Sequence, residues 1–181
     1  LFRSKNINRW GMMRSMFPEN LSSHSWETAV LTHALAIIGN REFNKEFNVE
    51  KLVLFALYHD VSELLTGDLP TPVKYYNNEI KNAYKEIEKR AEEKIFSLLR
   101  EDFREYFNIT LTEEEHKIVK SADKLSAYIK CLDELSASNR EFMVAEKSIR
   151  ESLDKSDSEE VHYFLDNYLL AFEKPLDKIT L

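Results

Sequence analysis

Apolar residues recur every three or four positions along most of this chain, the spacing at which one face of an α-helix is buried. The segment "LSSHSWETAVLTHALAIIGN" (21–40) shows this spacing first, with Ser22 or Ser23 as a helix cap and Gly39-Asn40 as a stop signal. The residues predicted to share its buried face are Trp26, Ala29, Val30, His33, Ile37 and Ile38.

A second helix is predicted over about 49–65, and it is apolar on nearly every side through "LVLFALY". A helix that is apolar all round is typical of the centre of a bundle. Gly67 ends this pattern, and the segment "DLPTPVK" (68–74) predicts a rigid loop because its two prolines fix the backbone.

The rest of the chain predicts four more helices and a polar connector at 153–159. Their ranges are about 76–99, 110–135 (opened by a capping box from Thr112 to Glu115), 140–153 and 159–171. Residues 1–21 predict a short basic helix or an extended arm. Because no strand pattern, repeat or low-complexity tract is visible, we expect an all-α helical bundle without significant sheet, in a single domain spanning 1–181.

Composition and charge narrow the classes of partner. Of the 181 residues, 43% are hydrophobic, which is enough to bury one sizeable core. The formal net charge of −7 disfavours a nucleic-acid polymer, because binding to such a polymer depends on clustered Lys and Arg. A small anionic ligand held by one or two local cations remains compatible with this charge.

Several features bear on the compartment. Cys131 is the single cysteine, so there is no internal disulfide framework, and we expect a reducing cytoplasm. The longest apolar run, 52–58, is far shorter than the ~20 residues of a membrane span, so we expect no membrane partner. No signal peptide is visible, and because the chain begins at Leu1 we expect a few native residues to precede it.

Acidic and imidazole side chains are concentrated where the second predicted helix gives way to the loop: His59, Asp60, Glu63 and Asp68. Glu63 follows Asp60 by three residues and His59 by four, which places it on the same flank of a helix. His24 lies in the first turn of the first helix. Asp123 interrupts an apolar face of a later helix, where a carboxylate is costly to bury unless it is paired or metal-bound.

Two histidines and two aspartates from three helices would form a mixed nitrogen and oxygen site, suited to Mn²⁺, Fe²⁺, Co²⁺ or Zn²⁺. Simpler explanations compete with this one: His59 as a hydrogen-bonded histidine at a helix end, and the nearby carboxylates as solvated groups. His33 is expected in the core or beside the ligands, and His116 and His162 are expected at the surface. Spacing alone leaves these alternatives open.

The order His24, His59-Asp60 and Asp123 resembles the H…HD…D signature of the HD-domain metal-dependent phosphohydrolases. Longer stretches are similar to the YfbR-type 5′-deoxynucleotidases of that superfamily: "INRW" (7–10), "HS" (24–25), "YHDVSELLTGDLPTPVKY" (58–75) and "KSADKLSAYIKCLDEL" (120–135). The similarity extends from about Ile7 to beyond Phe142, and the chain is identified as a member of this family.

The resemblance implies a helical HD fold, a homodimer, and hydrolysis of deoxyribonucleoside 5′-monophosphates to nucleoside and phosphate. It implies one divalent transition metal, with Co²⁺ or Mn²⁺ ahead of Zn²⁺ or Fe²⁺, on the ligands His24, His59, Asp60 and Asp123. Glu63 is the implied catalytic carboxylate and Arg9 the implied catalytic cation. The implied substrate contacts are Arg9, Trp10, Asp68, Leu69, Pro70, Thr71 and Asp123.

The chain departs from the family pattern at one position. An acidic residue is expected before the first metal-binding histidine, and Ser23 stands there instead. We expect His24 to remain a ligand, while the groups around it, and hence the metal preference, differ.

Two alternative functions stay open. Another HD-type nucleotide phosphohydrolase would use the same metal core on a larger substrate, as a pyrophosphohydrolase, a cyclic-nucleotide phosphodiesterase or a guanosine tetraphosphate hydrolase. A non-catalytic helical module would instead bind nucleotide without releasing phosphate. Hydrolysis profiled on monophosphates, diphosphates and cyclic nucleotides separates the three functions.

Overall fold

The computed structural model of the protein describes residues 1–172 and residue 174. Within this part of the chain there are α-helices and short 3₁₀ segments but no strand, apart from an isolated bridge between Asn8 and Asn20. The α-helices are α1 (Leu21–Glu42), α2 (Val49–Tyr58), α3 (Glu63–Thr66), α4 (Thr71–Lys74), α5 (Asn78–Phe96), α6 (Glu101–Arg104), α7 (Glu113–Ser136), α8 (Met143–Asp154), α9 (Glu159–Asn167) and α10 (Leu169–Phe172). The predicted all-α fold is therefore confirmed.

The core lies where α1 meets α2, α7 and α9. Its fully buried apolar residues are Leu35 and Ala36 on α1, Leu52 and Ala56 on α2, Ala122 and Leu125 on α7, and Val161 on α9. The capping box at the start of α7 is present as predicted, between Thr112 and Glu115. The central helix is α1, whereas the sequence pattern had favoured the segment 49–65.

The predicted buried face of α1 was largely wrong. Trp26, Val30, His33 and Ile37 are exposed, and only Ala29 and Ile38 of the predicted set are buried. The face that is buried also carries polar side chains, namely His24, Thr28 and Thr32. Because these polar residues lie on the inner side, apolar periodicity assigned the helix to the wrong face.

The ends of α1 also differ from the prediction. Asn20 caps the helix by accepting the N–H of Ser23, in place of Ser22 or Ser23. The helix continues past Gly39 to Glu42. A Cβ at Gly39 would lie 2.6 Å from the ring of Phe47, so this glycine allows close packing and does not end the helix.

The second predicted helix is interrupted. The helix α2 ends at Tyr58, residues 59–62 form turns, and α3 covers only the next four residues. Leu54 and Leu57 are exposed, so this segment is not buried on all sides. The proline-marked loop after α3 contains the short helix α4, which begins directly after Pro70.

The helix α5, predicted over about 76–99, contributes little to the core. Ala91 is the buried residue of this helix, whereas Ile80, Ile87 and the following Leu98 are exposed. Towards its C-terminal end, Phe96 packs against Phe107, with their ring centroids 6.2 Å apart. None of the helices that the structure describes combines the length and the apolar character needed to cross a membrane.

A buried ion pair on α7 holds the N-terminal segment against the bundle. Glu134 is completely buried and accepts the backbone N–H groups of Met16 and Phe17, at 2.9 and 3.0 Å. Lys130 donates to Glu134 and to the carbonyl of Phe17, and Asn139 Nδ2 donates to Glu134 at 2.7 Å. These hydrogen bonds hold in place the segment that follows Arg9 and Trp10 in the chain.

Candidate metal centre

Three of the sequence-predicted ligands converge at the turn that follows α2. Among the residues that the structure describes, His24, His59 and Asp60 form a group whose ligand atoms all lie within 4.8 Å of one another. His24 comes from the buried side of α1, while the other two occupy the turn because α2 ends at Tyr58. The interruption of the predicted second helix therefore aims both side chains at α1.

Asp123, the fourth predicted ligand, lies beside this group without belonging to it. Its Oδ1 is 2.9 Å from Nε2 of His24, and its side chain is 43% exposed. It projects from α7, the neighbour of α1. The structure thus brings the four predicted ligands to one place, three of them within the 4.8 Å group.

The orientation of His59 indicates which of its ring nitrogens faces the group. Nδ1 lies 2.7 Å from the carbonyl oxygen of Ala56 and donates to it, because a carbonyl only accepts. Nε2 is buried and makes no hydrogen bond, although Oδ2 of Asp60 is 3.1 Å away. A histidine held through Nδ1 in this way presents Nε2 to a cation.

The charges around the group favour a cation. Burial lowers the pKa of His59, but the adjacent Asp60 outweighs burial and raises it to about 9. Burial likewise opposes the charge on His24, and the hydrogen bonds that its ring donates to Asp123 and Glu19 raise its pKa nonetheless. Positive charge is therefore stabilised at both rings, and a divalent cation held by the same nitrogen and oxygen atoms would supply it. The donor set fits such a cation.

Glu63, the predicted catalytic carboxylate, opens α3 and is buried, with 6% of its surface exposed. Its Oε2 makes no hydrogen bond. Burial, together with the charges of Asp60 and Asp68, raises the pKa of Glu63 to about 8. This side chain can therefore take up or release a proton near neutral pH.

Arg9 and Trp10 reach the centre from the N-terminal segment. The Nη1 of Arg9 is 3.5 Å from Oδ2 of Asp60, and its side chain is only 13% exposed. Trp10 is half-buried, and its ring packs against Phe142 with centroids 5.3 Å apart. The guanidinium thus places its charge beside the candidate metal ligands.

The predicted loop becomes more exposed along its length. Asp68, Leu69 and Pro70 are half-buried, whereas Thr71 is exposed. Asp68 is near enough to Glu63 for its charge to raise the pKa of that carboxyl. The structure gives no contact between Thr71 and the metal-ligand group.

Sequence reasoning missed the groups that surround His24. Glu19 is buried, and its Oε1 lies 3.4 Å from Nδ1 of His24. Ser126 Oγ lies 3.2 Å from the same nitrogen and donates to Glu27 at 3.1 Å. Ser23, by contrast, is exposed, and its hydroxyl donates to Asn20. Its effect on the metal preference stays a prediction.

Comparison with known proteins identifies the family. The model of the family "5′-deoxynucleotidase YfbR-like" matches residues 1–172. A 5′-deoxynucleotidase from Vibrio parahaemolyticus is 50% identical over 185 aligned positions, which cover 99% of this chain and 95% of the relative. The chain belongs to the YfbR-like 5′-deoxynucleotidase family. A second family member, from Enterobacter sp. (strain 638), is 47% identical, with 99% of this chain and 93% of the relative covered.

Solved structures show that this YfbR-like protein has the HD-domain fold. An HD-domain phosphohydrolase from Listeria innocua superposes with a TM-score of 0.80 at 23% identity, covering 94% of this chain and 85% of the other. The HD phosphohydrolase DatZ of cyanophage S-2L, solved with dA and one catalytic Zn²⁺ ion, gives a TM-score of 0.64 at 23% identity. That comparison covers 98% of this chain and 94% of DatZ. At these identities the similarity concerns the fold.

Proposed function

We propose that this protein is a metal-dependent 5′-deoxynucleotidase, which hydrolyses deoxyribonucleoside 5′-monophosphates to deoxynucleoside and phosphate. The observation that carries the proposal is the group of His24, His59 and Asp60. In this group the buried Nε2 of His59 faces the Asp60 carboxylate and makes no hydrogen bond. Membership of a family named for this activity supports the substrate class. A phosphoric monoester hydrolase is therefore the activity that we expect.

The metal would be held by His24, His59 and Asp60, with Asp123 as a fourth ligand from α7. A bound divalent cation would supply positive charge next to the phosphate and lower the pKa of a water molecule towards neutrality. We propose Co²⁺ or Mn²⁺ from the family resemblance, with Zn²⁺ or Fe²⁺ as alternatives that the same donors accept. The catalytic Zn²⁺ of DatZ supports a divalent cation in this fold.

Arg9 would bind the phosphate of the substrate. Its guanidinium is buried beside Asp60 and is the permanent cation at the centre. The planar fork of an arginine donates two parallel hydrogen bonds to phosphate oxygens, which a lysine cannot do. Arg9 would therefore hold the phosphate in place and stabilise the charge that spreads over its oxygens during transfer.

Glu63 would carry the proton that the reaction moves. Its buried carboxyl, with a pKa of about 8, can accept a proton from the attacking water or donate one to the 5′-oxygen that leaves. The nearby Asp68 would keep this pKa high through its charge. Both directions of transfer need the same carboxyl, which makes Glu63 the proposed catalytic residue.

Trp10 and the segment 68–71 would form the walls of the sugar pocket. The Trp10 ring is held on one side by Phe142. Pro70 fixes the backbone ahead of Thr71, so this wall does not yield easily. A rigid wall at the place of a 2′-hydroxyl would favour deoxyribose, with Asp68, Leu69 and Asp123 as further substrate contacts.

The remaining assignments are also proposals. We propose a homodimer, and the exposed Trp26, Val30 and Ile37 along α1 offer an apolar face that a second chain would cover. Sedimentation of the wild type and of Trp26→Glu tests this, with a monomeric variant as the expected result.

We propose one domain over 1–181, of which residues 173 and 175–181 lie outside the described residues. We also propose a cytoplasmic location, which the buried free thiol of Cys131 supports.

The deciding experiment is phosphate release by metal-stripped protein supplied with Mn²⁺, Co²⁺, Zn²⁺ or Mg²⁺. Substrates are 5′-dNMPs, 5′-NMPs, dNTPs, nucleoside diphosphates and cyclic nucleotides. Metal-dependent release confined to 5′-dNMPs is the expected result. The nucleotide products are also separated by chromatography, because hydrolysis of a cyclic nucleotide gives a monophosphate and releases no phosphate. Hydrolysis of diphosphates or cyclic nucleotides alone would point to another HD-type activity, and metal binding without any hydrolysis would point to a binding module.

A further inference from the structure

Glu19 lies just before α1 and contacts the proposed site, although no sequence motif pointed to it. Its side chain is 6% exposed, and both carboxylate oxygens face groups of the site. Oε1 lies 2.9 Å from Nε of Arg9 and 3.4 Å from Nδ1 of His24. Oε2 accepts the indole N–H of Trp10 at 2.9 Å. One buried carboxylate therefore contacts three residues with three different proposed roles.

The contact with Arg9 determines which edge of the guanidinium is free. Nε of Arg9 faces Glu19, and the Arg9 backbone N–H also donates to the carbonyl of Glu19 at 3.0 Å. The Nη1 at the other edge lies 3.5 Å from Asp60. Glu19 thus occupies the Nε side of the guanidinium, while the terminal nitrogens lie towards Asp60, where a phosphate would bind.

The contact with Trp10 holds a backbone that is otherwise unfavourable. Trp10 has a φ of 58°, in the left-handed region that bulky residues rarely adopt. Two contacts oppose this cost, the indole hydrogen bond to Glu19 and the packing on Phe142. The position of the Trp10 ring therefore depends directly on the Glu19 carboxylate.

The contact with His24 affects which ring nitrogen of this proposed metal ligand carries a proton. A carboxylate beside Nδ1 favours the proton on that nitrogen and leaves Nε2 for a cation. Ser126 Oγ is the other polar group near Nδ1, and it donates to Glu27. Glu19 is the nearer carboxylate to this ring nitrogen, since Glu27 reaches it only through the serine.

We propose that Glu19 is a positioning residue that ties the metal ligand His24, the phosphate-binding Arg9 and the sugar-facing Trp10 to one buried carboxylate. Metal binding and substrate binding are then coupled through this side chain. The roles of Arg9 and Trp10 rest on the proposed function, whereas the link to His24 does not.

The test compares Glu19→Gln with the wild type and with Glu141→Gln, which breaks an exposed ion pair to Arg14 on the same N-terminal segment. Co²⁺ affinity is measured by calorimetry on metal-stripped protein, and kcat and KM are measured with dAMP. Glu19→Gln is expected to weaken Co²⁺ binding by roughly 10- to 100-fold and to raise KM, while Glu141→Gln matches the wild type. Unchanged Co²⁺ affinity in Glu19→Gln would overturn the proposal.

A second comparison separates positioning from a general loss of structure. In an Arg9→Gln background, Glu19→Gln is expected to raise KM less than it does in the wild type, because the effect through Arg9 is removed and only the effect through Trp10 remains. It is still expected to weaken Co²⁺ binding, because the metal effect passes through His24. Equal KM effects in both backgrounds would contradict the proposal. In metal-free protein with Trp26→Phe, Glu19→Gln should also shift the Trp10 fluorescence, and an unchanged spectrum would count against the indole contact.

The test also covers a Glu19→Gln variant that does not fold and a wild type that releases no phosphate. If Glu19→Gln does not fold, Glu19→Asp keeps the charge but shortens the side chain, and wild-type Co²⁺ affinity together with wild-type KM in that variant would overturn the proposal. If the wild type binds Co²⁺ but releases no phosphate from any dNMP, the proposed function fails. The Co²⁺ affinities of the variants still decide whether Glu19 positions His24.

Discussion

At the scale of single residues, the centre combines buried groups that would be unfavourable apart from one another. Glu63 is buried with one oxygen unpaired, and Nε2 of His59 is buried without a hydrogen bond. Unsatisfied buried polar atoms are uncommon and call for an explanation. A bound cation would use Nε2 of His59, and a proton transfer would use the Glu63 carboxyl, which is the physical basis for the prediction on Glu63.

Replacing Glu63 by Gln should abolish turnover and spare the metal. The amide keeps the shape of the side chain but cannot exchange a proton, so kcat is expected to fall about 10²- to 10⁴-fold. The Co²⁺ affinity should stay within about 3-fold of the wild type, since Glu63 lies outside the group of ligand atoms. The control is Glu86→Gln on α5, a surface carboxylate paired with Arg90. Turnover that survives in Glu63→Gln would remove the residue from the mechanism.

Shortening Trp10 should relax the preference for deoxyribose. Trp10→Ala removes a wall of the proposed sugar pocket, so the ratio of kcat/KM for dAMP over AMP is expected to fall by about 10-fold. The control is Tyr106→Ala, because Tyr106 is an aromatic residue that is 69% exposed and belongs to neither the proposed site nor the proposed dimer face. Thr71→Ser, a smaller change in the proposed wall formed by 68–71, is expected to act in the same direction. Equal ratios in all four proteins would exclude this pocket.

At the scale of elements, the N-terminal segment depends on α7. Four donor groups converge on the Glu134 carboxylate, and two of them are backbone N–H groups of this segment, which has no regular helix after Asn6 until α1 begins. Arg9 and Trp10 belong to this segment. The proposed site therefore requires that this segment stay attached to α7. A substitution on α7, far from the metal ligands in the chain, would weaken that attachment.

Glu134→Gln should destabilise the fold. Removing one partner of a buried ion pair leaves Lys130 uncompensated and costs about 3–5 kcal/mol, which urea unfolding of the metal-free protein measures. Glu141→Gln, on an exposed pair, should cost less than about 1 kcal/mol. Similar costs for the two variants would mean that the buried pair contributes no more than a surface pair.

The same variant yields a prediction about pH. Burial opposes the charge on Glu134, but hydrogen bonds from Lys130, Met16 and Asn139 outweigh burial and lower its pKa to about 2, from an ordinary 4.5. A carboxyl with a lowered pKa stabilises the fold above its unfolded-state pKa and loses that effect as the pH falls towards the folded-state value. The stability difference between wild type and Glu134→Gln should therefore shrink from about pH 5 towards about pH 2. A difference that stays constant would contradict the assignment.

Gly39→Ala tests the packing of α1 against the segment before α2. Alanine raises helix propensity by about 1 kcal/mol, but its Cβ would lie 2.6 Å from the buried Phe47 ring. Overpacking of this kind costs about 1–3 kcal/mol, so a net loss of stability is expected. Gly11→Ala is the control, because the nearest atom to its Cβ is 4.0 Å away. Stabilisation by Gly39→Ala would show that the ring moves aside freely.

At the scale of the whole molecule, the centre joins three parts of the chain, and a metal should therefore stabilise the entire fold. Metal added at about 1,000 times its Kd is expected to stabilise the native state by about 4 kcal/mol, seen as a higher Tm by calorimetry. His59→Ala should lose this response, whereas His33→Ala, on the exposed side of α1, should keep it. A response that survives in His59→Ala would place the metal elsewhere.

The sequence by itself determined the all-α fold, the capping box of α7 and the family. Helical periodicity and capping are local, so they can be detected within a few residues, and the family resemblance rests on continuous stretches such as 58–75. The structure brings the predicted ligands together, while their roles and that of Glu63 remain predictions.

Only the tertiary structure decided which face of α1 is buried, where α2 ends, and that Glu19 contacts the site. The buried face of α1 carries polar residues, which periodicity assigns to solvent. Glu19 acquires its contacts because the N-terminal segment turns back beside the start of α1, and this path depends on Glu134, 115 positions later in the chain. Contacts between side chains so far apart in sequence arise from packing, and no local pattern encodes them.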